Sequence, residues 1–230
     1  MKTKTQTLPP PGQIKKIGRI IKKTLKLVTL VMFLAGLQVL AADWSQLSQT
    51  INDGTLAVDI VDSSGASVSN PSVTFGALTY SFDTQDGTGT LGTSDERIRA
   101  YNPTSTDTWT VNLAGSSTTA TWSDGSHTYD FNDGSGYTDG SDADSVGGQM
   151  TVDPSGATIT GVSGCSTSNI STGSSDSYVE GTTDNIDLMS ASSGAATYCR
   201  WDLTGVNLTQ GIPAGQSPGT YTLTMNLTIS

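Results

Sequence analysis

The most regular alternation in the chain runs from Gly219 to Ser230, where Tyr221, Leu223, Met225, Leu227 and Ile229 are separated by Thr222, Thr224, Asn226 and Thr228. A period of two puts one face of a strand in a core and the other in water. At about 3.3 Å per residue this stretch predicts a strand of about 35 Å, long enough to span a domain and to pair along its whole length. No sorting signal, hydrophobic tail or basic anchor follows Ser230, so attachment through a C-terminal tether is not expected.

Shorter alternations fill the chain from Asp43 onward, and none has sustained helical periodicity. A short entry turn or helical piece is predicted over Trp44 to Ile51. Leu56, Val58 and Ile60 mark a strand that ends at Asp62-Ser63-Ser64-Gly65. Ser72 to Phe82 is predicted as a strand with a bulge at Gly76-Ala77, followed by a turn-rich Asp83 to Thr93. Arg97 to Tyr101 and Thr108 to Leu113 are predicted to form a hairpin around Asn102 to Asp107, with Trp109, Val111 and Leu113 on one face. Ala120 to Trp122 and His127 to Phe131 make a second pair. Residues 132 to 148 have almost no apolar side chains and are expected to form a long functional or ligand-ordered loop. Ala157 to Val162, Ile186 to Met189 and Thr197 to Leu203 supply later strands, with a loop over Ser166 to Ser177. The predicted fold is all-β: a single β-sandwich of the Ig-like or Greek-key type with about 10–12 short strands. About 188 residues suffice for one core.

Charge separates the two ends of the chain. Of 11 basic residues, Lys2, Lys4, Lys15, Lys16, Arg19, Lys22, Lys23 and Lys26 precede the first acid, Asp43. Beyond it only Arg97, Arg99 and Arg200 stand against all 21 acids, a formal charge of −18 with no lysine. Such a surface repels nucleic acid and anionic lipid and suits an exported, soluble protein. Residues 1–41 have the form of a signal peptide, with a basic n-region over 1–26, an apolar h-region over 27–40 and Val39-Leu40-Ala41 before the expected cut. The apolar run is shorter than the roughly 20 residues that cross a bilayer. Residues 42–230 are then the secreted surface domain, with no membrane contact after cleavage; retention of the leader as an anchor is the alternative. Cys165 and Cys199 are the only cysteines, and in an exported chain a disulfide is expected between them, worth about 3.5 kcal/mol.

Trp109-Thr110-Val111 and Trp201-Asp202-Leu203 each place a tryptophan two residues before an aliphatic on one strand face. Together with Phe75-Gly76, Ile212-Pro213-Ala214-Gly215 and Gly219-Thr220-Tyr221, they give the stretch from Gly54 to Ser230 a pattern that resembles the WxL domain. The first motif is W-x-V, and the Asp-rich loop has no counterpart in that pattern. The resemblance implies a protein of the Gram-positive cell surface, held non-covalently to the wall by a β-domain. Trp109, Trp201 and Trp122 are the candidate platforms for the sugar faces of peptidoglycan, since an aromatic ring stacks well on them.

A second candidate lies in Asp130-Phe131-Asn132-Asp133-Gly134-Ser135-Gly136-Tyr137-Thr138-Asp139-Gly140-Ser141-Asp142-Ala143-Asp144. Hard oxygen donors on a glycine-rich backbone are what Ca2+ coordination needs, and Asp130, Asn132, Asp133, Asp139, Asp142 and Asp144 are the candidate ligands. An EF-hand is excluded, because the twelfth position from Asp130 is Ser141 rather than a bidentate glutamate. Catalysis finds little support. His127 has no Cys or Ser elbow beside it, and Glu96 and Glu180 lie in polar surroundings.

The expected protein is therefore a non-enzymatic, extracellular cell-envelope protein whose partners are wall glycan, peptidoglycan or other envelope proteins. The alternative is a homo-oligomeric surface filament in which the terminal strand of one copy completes the sheet of the next.

Overall fold

A computed structural model of the protein describes residues 22–23, 48–140, 142 and 144–230. The export leader expected over 1–41 lies outside the described residues apart from Lys22 and Lys23, and so does Trp44. The chain divides into two units, Met1–Thr50 and Ile51–Ser230, and every strand described belongs to the second.

That unit is all-β. In chain order its strands are β1 (Ala57–Val61), β2 (Gln85–Leu91), β3 (Arg97–Asn102), β4 (Trp109–Gly115), β5 (Trp122–Ser123), β6 (Thr128–Tyr129), β7 (Gln149–Asp153), β8 (Thr158–Gly161), β9 (Ile170–Thr172), β10 (Asp176–Ser177), β11 (Asn185–Ala191), β12 (Cys199–Thr204), β13 (Val206–Ile212) and β14 (Met225–Ile229). They form three four-stranded sheets, ordered β1-β3-β12-β8, β10-β7-β13-β2 and β14-β4-β11-β9, with β5-β6 as a separate ribbon. Every pairing is antiparallel.

One buried cluster draws on all three sheets. Ile98, Ala100, Trp201 and Leu203 come from the first, Met150, Val152 and Leu208 from the second, and Trp109, Val111, Leu113 and Leu188 from the third. Each fully buried side chain of this size contributes about 1.5–3 kcal/mol. The register explains the sorting, because Trp201 faces Ala100 and Leu203 faces Ile98, so the apolar residues of β3 and β12 point one way. Between them Arg99 pairs with Asp202 on the opposite face. That face is also buried, under Gly65 at φ +87°, where a Cβ would stand 2.5 Å from the Arg99 guanidinium.

Four expectations change. The terminal strand covers only Met225–Ile229 and sits at a sheet edge, paired with β4 alone, although its odd positions are half-buried as the alternation requires. Ser72 to Phe82 forms no strand, whereas the supposed turn region contains β2. The reason lies in Gly87 and Gly89. Without side chains they leave room for the Phe75 ring and Val73 to lie against β2, and a Cβ on Gly89 would come within 3.0 Å of Val73. Gly76 N–H then donates to Thr88 O at 2.9 Å, which covers part of the β2 edge.

The predicted hairpin between Arg97 and Leu113 is the third correction. β3 is already flanked by β1 and β12, and β4 by β14 and β11, so the two lie in different sheets. An Asn102-centred turn carries the chain across, with its amide donating to Thr106 O and its oxygen accepting from Thr104 N–H. Finally, Ser166 to Ser177 is not wholly loop, because it contains β9 and β10 as edge strands. The expected disulfide joins Cys165 to Cys199 across 34 residues.

Candidate functional site

The Asp-rich loop leaves β6 and returns through β7, and its base is closed by backbone bonds. Asp130 N–H donates to Gly147 O at 2.9 Å, Asp133 N–H to Gly148 O at 3.0 Å and Gly148 N–H to Gly136 O at 2.8 Å. Gly148 adopts φ +136°, and a Cβ there would sit 2.2 Å from Asp130 O. Only glycine allows this approach, which sinks Asp130 into the interior. Tyr137 fastens the far part of the loop to β2 through a 2.7 Å bond to Asp86.

Asp130, Asp133 and Asp142 converge. One carboxylate oxygen from each lies within 4.8 Å of the other two. Asp130 and Asp133 are buried, at 0% and 1% exposure, and Asp142 is half-buried. Asp133 is well supplied with donors, its two oxygens accepting from Ser135 N–H at 2.6 Å and Gly140 N–H at 2.8 Å. Asp130 Oδ1 accepts from Phe131 N–H at 2.7 Å, but its buried Oδ2 has no hydrogen-bond partner. Ion pairs among the described residues involve Asp202 or Asp124, not these three carboxylates. Two unit charges so placed repel by about 3 kcal/mol at an effective dielectric of about 20. Burial accordingly pushes the Asp130 carboxyl up to about 7, and the charges of Asp144 and Asp142 add to the effect. Asp144 is also raised, again mainly by burial, with Asp142, Glu180 and Asp133 contributing.

The other three candidate ligands are placed differently. Asn132 donates through its side chain to Thr118 O at 2.8 Å, Asp139 is exposed, and Asp144 stands beside the group while accepting from Val146 N–H at 3.0 Å.

The tryptophans divide sharply. Trp109 and Trp201 are 3% and 0% exposed and lie on each other with ring centroids 5.2 Å apart. They are core residues whose faces meet no solvent, which corrects their reading as sugar platforms. Trp122 is half-buried beside a groove of about 550 Å3 that is lined also by Tyr80, Tyr129, Gln210, Gln216 and Tyr221. Its ring stacks on Tyr129 at 5.8 Å and meets the edge of Phe75 at 5.2 Å, and its N–H donates to Gln210 Oε1 at 2.8 Å. Tyr80 remains 46% exposed at the groove, next to Phe82. Of the groove residues only Trp122 is a candidate from the sequence; Tyr80, Tyr129, Gln210 and Gln216 escape it because they come from separate segments with no shared motif. Glycine and proline punctuation around Gly219 is the only local hint of a turn there.

His127 is exposed and its Nδ1 lies 3.1 Å from Asp124 Oδ2, a pairing that holds a turn. Compared with known proteins, the chain matches no family model, no curated protein and no solved structure. Both sites are therefore read from their own geometry.

Proposed function

We propose that this is an exported cell-envelope protein that holds neutral wall glycan in the Trp122 groove, without covalent attachment and without catalysis. The observation that carries this reading is the groove itself: a stacked Trp122–Tyr129 pair beside an exposed Tyr80, with the Gln216 amide among them. Aromatic faces take the C–H faces of sugar rings, and amides take their hydroxyls. In the same reading the three sheets are parts of one sandwich, residues 1–41 are a cleaved signal peptide, and the WxL likeness reflects attachment to peptidoglycan. Cross-linking and charge support it, since a disulfide and an acidic, lysine-free domain suit the outside of a cell.

A filament subunit is the second reading, favoured by β14, an edge strand paired on one side only that could accept or donate a neighbour's strand. Co-sedimentation with purified peptidoglycan separates the two. Retention in the wall pellet that falls about tenfold in Tyr80→Ala supports glycan binding, since one aromatic contact is worth about that much. Equal retention by Tyr80→Ala and the native protein would remove the groove from consideration, and protein that pellets as fibres without wall would establish the filament instead.

A further inference from the structure

The geometry points to a binding site for a divalent cation of the calcium type at Asp130, Asp133 and Asp142. This inference is independent of what fills the Trp122 groove.

Convergence of acids alone would say little, since exposed carboxylates often cluster. Here two of the three are buried, and the deepest has an oxygen with nothing to accept from: Asp130 Oδ2 lies in the interior without a partner. Buried polar atoms are nearly always satisfied, so an orphan acceptor on a buried carboxylate that converges with two others calls for a positively charged partner. No ion pair among the described residues fills that role: Arg97 and Arg99 are engaged by Asp202 and His127 by Asp124, and none reaches these three carboxylates.

The dimensions admit an ion of calcium's size. Three oxygens no more than 4.8 Å apart fit within a circle of radius at most about 2.8 Å, which accommodates calcium–oxygen contacts of roughly 2.3–2.6 Å. Magnesium requires contacts of about 2.0–2.1 Å in near-octahedral geometry and gives up its water reluctantly, so a set of three carboxylates suits calcium better. All three donors are carboxylate oxygens, with neither nitrogen nor sulfur in the set, and that composition selects hard cations over zinc or copper. Asp130 and Asp133 sit at the start of the loop and Asp142 near its return, so a shared ion ties the two limbs together. Asp144 supplies further negative charge beside them.

The test is a thermal melt and a calorimetric titration of the chelator-treated protein with calcium and, separately, magnesium. Calcium is expected to bind with a dissociation constant on the order of 10⁻⁴–10⁻³ M and, at about 10 mM, to raise the melting temperature by about 5 °C. Magnesium is expected to produce less than half that rise. Asp130→Asn removes the buried charge, so it should fold at least as stably as the native chain without metal and lose the calcium response; Asp142→Asn should lose it too. Asp95→Asn, at an exposed position away from the loop, should keep it. A native melting curve unmoved by calcium would overturn the assignment, and so would a full response in both Asp130→Asn and Asp142→Asn.

Discussion

The indole N–H of Trp122 donates to the side-chain oxygen of Gln210 at 2.8 Å, and the nitrogen of that amide donates to Asp130 O at 2.9 Å and Gly211 O at 2.7 Å. Gln210 is 1% exposed, and it joins the aromatic groove to the root of the acidic loop. All of its hydrogen-bonding capacity in this position is turned inward. Gln210→Leu keeps most of the volume and none of the bonds, leaving an N–H and two carbonyls without this partner. It should cost about 2–4 kcal/mol and lower the melting temperature by about 5–10 °C, with a changed near-ultraviolet circular dichroism signal from Trp122. A loss below about 0.5 kcal/mol would show that water replaces the amide.

Arg99 and Asp202 form a two-bonded pair at 2.6 and 2.8 Å across β3 and β12, and Arg97 approaches the same carboxylate at 3.2 Å. Asp202→Ala strands one guanidinium in the interior and should cost about 3–5 kcal/mol in urea unfolding. The double variant Arg99→Met/Asp202→Leu should recover most of that loss, because the desolvation of both charges disappears with them. A double variant as unstable as Asp202→Ala alone would mean that the attraction within the pair outweighs its desolvation.

The sign of the Asp130 effect is opposite to that of most acids. Its folded pKa of about 7 lies above the unfolded value of 3.8, so the folded state binds more protons between those limits and loses stability as pH rises from about 4 to about 7. Asp142, Asp144 and Asp133 face the group from its own loop, while Gln210 of β13 bonds its backbone. Asp53, Asp62, Asp124 and Asp153, all lowered mainly by hydrogen bonds, act in the reverse direction at lower pH. The difference between the native protein and Asp130→Asn isolates the buried group. In the absence of metal this difference should grow by about 2–4 kcal/mol from pH 4 to pH 7.5. Parallel profiles for the two proteins would show Asp130 to be charged throughout.

Most strands of two of the three large sheets are legible in the sequence, though not their pairing, and those of the third are not. β1, β3, β4, β8, β11 and β12 all follow apolar alternations such as Trp109-Val111-Leu113. The sheet β10-β7-β13-β2 is hidden because its inward positions break the hydrophobic signal: glycine at Gly87 and Gly89, an amide at Gln210, and only two apolar residues in β7. Tertiary contact, with Phe75 lying on bare glycine backbone, decides those positions. The alternation from Gly219 to Ser230 predicts the correct faces but too long a strand, since β4 pairs only with Met225–Ile229 and Thr222 makes an isolated bridge to Ser123. At the acidic loop, composition reveals the residues but not their placement. Hydropathy puts Asp130 in water; Gly148 at φ +136° and the return through Gln149 put it in the core.

The Cys165–Cys199 bond encloses β9, β10 and β11, which belong to two sheets other than that of β12. A protease that cuts the backbone anywhere between those cysteines therefore leaves two pieces in one molecule. On a gel without reductant the nicked chain migrates as a single band, and only thiol treatment reveals the break. In the extracellular setting proposed above, damage to this segment would be carried along without shedding either half.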